Sequence, residues 1–166
     1  TEGTEPLESI DESLDQIFAG FFYVDKVVKD LKLARPAGIG PECSEEICPE
    51  YVETPFARFG KEALLANLAA AKLIFLGAEQ EDGMGFKDLL IAEGAEGLAN
   101  DMTTKLEGAI AAVTAIEGDL AAALNADADQ VRNAHAALRE FTDDMKGEMV
   151  TILSLRVPQE GAGDND

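Results

Sequence analysis

The sequence predicts an all-α fold: an antiparallel bundle of four long helices plus one short helix, with a long loop between the first two long helices. Apolar residues recur at spacings of three and four, no segment alternates apolar and polar residues over the length of a strand, and β-branched residues are few. The chain has 166 residues, of which 46% are hydrophobic, enough for one domain with a core. We predict a single helical-bundle domain over residues 1–158 and a mobile acidic tail over residues 159–166.

The first helix is indicated by an unbroken seam of apolar residues. Pro6 suits its first turn, and Pro36 and Gly38 end it. The seam consists of Leu7, Ile10, Leu14, Ile17, Phe21, Val24, Val28 and Leu31. This pattern predicts an amphipathic helix that faces other helices.

A long connector, residues 35–53, follows the first helix and contains both cysteines. A loop of this length in a compact domain is usually functional or held by a cross-link. Four residues separate Cys43 from Cys48, a spacing that a disulfide can close, and free thiols remain an alternative. Zinc would need about four ligands, whereas the chain has two thiols and one histidine. A disulfide would place the chain in an oxidising compartment.

The second long helix is predicted to run from Thr54 to Gly77. Thr54 can cap the first turn, and Pro55 has no N–H to leave unbonded. Gly77 is a typical helix stop.

Three more helices complete the predicted bundle. A short helix ends at Gly94, and a long one follows the apolar seam over residues 98–120. Asp127 and Gln130 match a capping-box pattern ahead of the last helix, whose seam covers residues 131–152.

Asn67 lies on the apolar stripe of the second helix, where an amide costs free energy unless it is hydrogen-bonded. Two interpretations stay open. Asn67 caps or bridges a neighbouring loop in the core, or it orients the connector and helps to shape a pocket. Glu53 and Arg58 flank the predicted helix start and could line the same region.

The charge balance excludes several classes of partner. Thirty-three acidic residues face thirteen basic ones, for a formal net charge of −20. Nucleic acids and anionic membrane surfaces need clustered Lys and Arg, so neither is an expected partner. There is no apolar run of the length that spans a membrane. A solvated acidic surface explains the charge.

Catalytic and metal-binding patterns are not found. His135 is the only histidine, and we interpret it as structural or superficial. It could in principle serve Ser9, Ser13 or Ser154 as a base, but no motif supports this. No Glu-x-x-His pair, calcium-binding loop or glycine-rich phosphate loop is present. We therefore predict no catalytic and no metal-ligating residues in this chain.

Four segments resemble the C-terminal half of imelysin-like proteins: ETPFARFG, NLAAAKLIFLG, GMGFKDLL and AHAALREFTDDMKGEMVTILSLRVP. That family commonly shows a Glu-Ser-Pro-aromatic start, an Asn-Leu pair followed by a glycine, and a Gly-x-x-Asp-Leu-Leu segment. In this chain these features fall on Glu53, Pro55, Phe56, Asn67, Leu68, Gly77, Gly85, Asp88, Leu89 and Leu90. The resemblance runs from about Leu7 to Pro158.

The family's hallmark, Gly-x-His-x-x-Glu, is carried by its N-terminal half and is missing here. Around His135 the corresponding positions hold Asn133 and Leu138. Thr54 and Ala57 also replace family serines. The resemblance therefore transfers the fold and the compartment, but no catalytic or metal-binding residue.

The resemblance implies a non-catalytic helical domain of an extracytoplasmic bacterial protein, in the periplasm or at the cell surface. Its role would be binding or iron uptake, completed by another half or a partner protein, and the parent protein could carry a lipid anchor. Iron or another metal would enter only with that partner half. One alternative is a structural or adaptor subunit that kept the bundle without the family site. The other is a fragment of a metallopeptidase-class protein.

Overall fold

The computed structural model describes residues 9–77 and 83–158, which are mostly helical and contain no strand. The α-helices are α1 (Ile10–Phe21), α2 (Gly60–Leu76), α3 (Phe86–Ala92), α4 (Glu96–Ala115), α5 (Leu120–Asp127), α6 (Asp129–Asp144) and α7 (Val150–Leu153). The first π segment (Val24–Ala34) follows α1, the second π segment (Met145–Met149) joins α6 to α7, and a 3₁₀ turn covers Pro49–Tyr51. Predicted Leu7 and the predicted tail, residues 159–166, lie outside the described residues.

Contacts between the long helices run antiparallel. Lys72 of α2 bonds to Glu107 of α4, whereas Lys61, earlier in α2, bonds to the carbonyl of Thr114, later in α4. α4 and α6 also run antiparallel. Lys105 in α4 bonds to Asp144 at the end of α6, whereas the Glu117 amide, just after α4, donates to Gln130 at the start of α6. The prediction of an all-α bundle is confirmed.

The core centres on an aromatic cluster contributed by separate helices. Phe21 stacks on Phe86 at 5.6 Å between ring centroids, and Phe75 meets Phe141 edge to face at 5.6 Å. Phe18 joins through Phe86 at 6.1 Å. Such pairs are worth about 0.5–1.5 kcal/mol each beyond their buried area. This cluster fixes how α1, α2, α3 and α6 meet.

The predicted apolar seam of the first helix is wrong in detail. Ile17 and Leu31 are 52% and 43% exposed, whereas Phe18 and Leu33 are fully buried. In α1 the larger Phe18 takes the inward position because it completes the aromatic cluster. Beyond α1 the helix widens to i→i+5 bonding, as in the bond from the Arg35 amide to the Asp30 carbonyl at 2.9 Å. The wider turn changes which residues face inward.

The second long helix begins at Gly60, not at Thr54 as predicted. Thr54 has a left-handed backbone, φ 53°, and its carbonyl accepts from the Arg58 amide at 3.0 Å, which closes a separate turn. A Cβ on Gly60 would lie 3.2 Å from the Glu53 carbonyl oxygen. The helix thus starts where glycine allows close packing on the connector, and its predicted end at Gly77 is observed.

The predicted helix over residues 98–120 is two helices. Gly118, with φ 70°, lies in the break, and Asp119 caps α5 by accepting from the Ala122 amide at 3.0 Å. The predicted capping box is not formed, because Gln130 accepts from the Glu117 amide instead. No single helix among the described residues is long and apolar enough to cross a membrane. By length and composition alone, α4 and α5 together meet that criterion across an 82° bend.

Candidate functional site

A cavity of about 450 Å³ lies between the first π segment, the connector and α6. Such a volume is typical of small-molecule sites in proteins. Its basic and acidic lining residues are Lys26, Lys29, Asp30, Arg35, Glu42 and Arg139. His135 and a set of apolar residues complete the walls.

A buried charge cluster supports the wall of this cavity. Asp25 and Lys29 are 0% and 1% exposed, and Lys29 Nζ lies 3.1 Å from Asp25 Oδ1. Lys146, from the second π segment, approaches the same oxygen at 3.4 Å. Lys29 also lies 3.1 Å from Asp30, which reaches the surface. Two ammonium groups therefore neutralise one buried carboxylate, as a charge removed from water requires.

The two π segments meet at this cluster. π-helical turns are rare and often occur at functional sites. Asp25 and Lys29 occupy the first π segment, and Lys146 occupies the second. Neither carboxylate oxygen of Asp25 has a well-directed hydrogen bond. The contact between the segments is thus held by charge more than by hydrogen-bond geometry.

Arg35 also lines the cavity, and its guanidinium lies over an aromatic ring. Its carbon Cζ lies 3.7 Å from the centroid of the Tyr51 ring, a stacked cation–π contact. Glu42 Oε2 lies 2.9 Å from Arg35 Nε, yet that nitrogen is buried without a well-directed hydrogen bond. A planar guanidinium of this kind matches carboxylate and phosphate groups.

The connector that carries Glu42 is fixed at several points. Cys43 and Cys48 form a disulfide, which confirms the predicted pairing over the free-thiol alternative. The Cys48 amide donates to the Pro36 carbonyl at 2.9 Å, and Arg132 of α6 donates to the Glu46 carbonyl at 2.9 Å. The rim of the cavity is therefore a pinned loop.

The structure places Asn67 and Glu53 around one ammonium group. Asn67 is half-buried, and its Oδ1 accepts from Lys32 Nζ at 2.8 Å, while Glu53 Oε2 lies 2.9 Å from the same nitrogen. Burial lowers the pKa of Lys32, but hydrogen bonds to Glu53 and Tyr23 outweigh it, so the pKa stays above its usual value. Asn67 thus reaches the connector through Lys32.

Arg58 lies apart from that group. It is exposed and approaches Asp119 at 4.0 Å, at the start of α5. The three residues that the sequence placed together are therefore split, with Asn67 and Glu53 on one side and Arg58 on another.

His135 is buried on α6 and lines the cavity, which makes it a wall residue and not a superficial one. Metal binding would need further ligands beside it. Within residues 9–77 and 83–158, no group of three or more His, Cys, Asp or Glu side chains could hold a metal ion.

Sequence reasoning missed the buried charges and the cavity they support. A signal was present: Asp25 and Lys29 form an acid–base pair at i and i+4, directly beside the apolar positions Val24 and Val28. Lys26, Lys29, Lys32 and Arg35 also repeat every third residue. Because the chain has few basic residues, four of them within ten positions indicate that this segment differs from the rest of the chain.

Comparison with known proteins gives one family. The family model described as Imelysin matches residues 2–145, most of the chain. No curated protein and no solved structure matches the chain.

Proposed function

Because the chain belongs to the imelysin family, we propose that it is a non-catalytic, ligand-binding helical domain of an extracytoplasmic bacterial protein. The cavity beside the buried Asp25–Lys29–Lys146 cluster carries the proposal. Its walls come from the first π segment, a cross-linked loop and α6. A π segment and a buried charge cluster are costly features to maintain in a bundle that serves only as a scaffold. Binding at this cavity is the function that the geometry supports best.

Two observations support the extracytoplasmic compartment. The connector contains a disulfide between Cys43 and Cys48, and structural disulfides persist in oxidising compartments. The family to which the chain belongs is typical of the bacterial periplasm and cell surface.

A role in iron uptake would require a companion half. The chain has no Gly-x-His-x-x-Glu motif, and its described residues offer no group of metal ligands. A companion domain that carries the motif would supply the metal site, while this domain would supply the cavity. Native mass spectrometry and metal analysis of protein from its source test this part. A co-purifying chain with the motif supports it, and a metal-free monomer contradicts it.

One observation favours the second candidate function, a structural or adaptor subunit. Phe56 is 101% exposed, and Phe59 beside it is exposed as well. Aromatic side chains are enriched in protein interfaces, so the turn before α2 is a candidate contact for a companion chain. The third hypothesis is a metallopeptidase fragment. It gains no support from the described residues, which contain no group of side chains that could hold a metal ion.

A cavity-filling variant tests the binding function. Leu31 lines the cavity and is partly exposed, so Leu31→Trp should fill the space without unfolding the bundle. Leu73→Trp is the matched control, because Leu73 is similarly exposed on α2. In a thermal-shift screen of cationic, neutral and anionic small molecules, we expect at least one that stabilises the wild type and the control but not Leu31→Trp. A screen with no such molecule refutes the binding function.

A further inference from the structure

Most charged residues that line the cavity are basic, although most charged residues of the chain are acidic. Acidic residues outnumber basic ones by 33 to 13 overall. The cavity is lined by four basic and two acidic side chains. Two further carboxylates, Asp25 and Asp143, pair with Lys29 and Arg139 from outside the lining. Field lines from such a recess concentrate ions of the opposite sign. The lining is therefore richer in cations than the chain as a whole.

The carboxylates that pair with the two arginines of the lining are exposed to water. Glu42 is exposed and lacks a well-directed bond to Arg35, and Arg139 meets the exposed Asp143 at 3.5 Å. An exposed pair such as Arg139–Asp143 contributes little to stability. A ligand anion can therefore replace Asp143 at little cost.

The deeper cation is held differently. Lys29 is buried between Asp25 and Asp30, which fix its position and compensate its charge. The Arg35 guanidinium is likewise oriented by Tyr51. Preorganised donors lose little conformational entropy when they bind.

The remaining walls are apolar, from Leu31, Ala34, Ile39 and Pro41. An inorganic ion would leave these walls uncovered. A ligand with a carbon body would cover them and gain from burial.

We propose that this cavity binds a small organic anion, with carboxylate or phosphate groups directed at Arg35 and Arg139. The proposal rests on the proposed function and names the ligand class of the same site. The apolar walls receive the body of the ligand, and the surrounding acidic surface discourages binding of anions elsewhere.

Isothermal titration calorimetry of the full chain tests the proposal with four probes: citrate, glucose 6-phosphate, inorganic phosphate and the cation spermidine. We expect citrate or glucose 6-phosphate to bind, more tightly than inorganic phosphate does. A preference between these two organic anions identifies the head group. Because the attraction is electrostatic, the affinity should fall as salt is raised to about 0.5 M.

Two variants assign the binding to the cavity. Arg35→Gln and Arg139→Gln should each weaken the organic anion about tenfold, as loss of one charged hydrogen bond does. Arg156→Gln is the matched control, since Arg156 is exposed and pairs with Asp15. It should leave the affinity unchanged. If Arg35→Gln loosens the connector, Arg139→Gln still measures the contribution of a cavity cation to binding, because Arg139 pairs within its own helix.

The outcomes separate this proposal from the proposed function. Binding of neither organic anion overturns the anion proposal, and so does an equal loss in the Arg156 control. If a neutral or cationic molecule binds and Leu31→Trp abolishes it, the binding function stands and only the ligand class falls. If no probe of any class binds, both fall.

Discussion

Replacing Asp25 by Asn should destabilise the protein more than any surface charge change. The substitution removes the carboxylate that faces Lys29 at 3.1 Å and Lys146 at 3.4 Å. Removing one partner of a buried ion pair usually costs about 3–5 kcal/mol, because the other charge is left in a poorly solvated site. Lys146 is only partly buried and can turn to water, and Lys29 keeps Asp30 at 3.1 Å. We therefore expect a loss near the lower limit, about 3 kcal/mol.

Urea denaturation of the oxidised protein measures this loss as a change in the free energy of unfolding. In a thermal scan it corresponds to a decrease in Tm of roughly 6 to 12 °C for a chain of this size. Asp143→Asn is the control, since Asp143 and Arg139 are both exposed, and it should change stability by less than about 0.5 kcal/mol.

A double-mutant cycle shows whether the loss comes from the pair. In the double variant Asp25→Asn with Lys29→Met, neither member of the pair remains as an isolated charge. Its loss in free energy of unfolding should therefore be about 2 kcal/mol smaller than the sum of the losses in the two single variants. Additive losses, or an Asp25→Asn variant as stable as the Asp143→Asn control, would refute the reasoning.

Three more predictions concern the connector and the bundle. Cys43→Ser with Cys48→Ser should lower the free energy of unfolding by about 2 kcal/mol in chemical denaturation, since the bridge closes a short loop; an unchanged midpoint would contradict this. Asn67→Ala removes the 2.8 Å bond from Lys32 and should cost about 1.5 kcal/mol by the same measurement, while Asn67→Asp should retain stability. Hydrogen bonds to two carboxylates raise the pKa of Lys105 above 10.5, so its stabilisation is fully present below pH 10.5 and declines at higher pH. The stability difference between wild type and Lys105→Met should therefore be constant from neutral pH to about pH 9 and shrink above pH 10.5; a difference that grows there would refute it.

The fold class and helix order could be predicted because they depend on apolar periodicity, which local substitutions barely alter. The start of α2 could not. Thr54 and Pro55 form a good local start signal, yet the packing of Gly60 on the connector decides where the helix begins. A packing contact of this kind, between Gly60 and the Glu53 carbonyl, is not encoded in a local helix-start pattern.

None of the residues that the sequence predicted to shape a pocket lines the cavity. Asn67 and Glu53 were identified because a polar residue on an apolar stripe and a family motif both point to them. The Lys32 ammonium that joins them was not identified, because a lysine in a helix is ordinarily solvated. Asp25 and Lys29 were missed for the same reason, and because π-helical bonding in their segment changes which side chains face inward.

Arg35 contributes to both the charge of the cavity and the position of its rim. It contacts Glu42, which lies near the beginning of the connector and also lines the cavity. Neutralising Arg35 changes the rim as well as the field, so a lost affinity would have two explanations. Arg139 lies on α6 and pairs with Asp143 of the same helix, so neutralising it leaves the connector in place. An effect of the rim would appear in Arg35→Gln but not in Arg139→Gln, whereas an effect of charge must appear in both and weaken with salt.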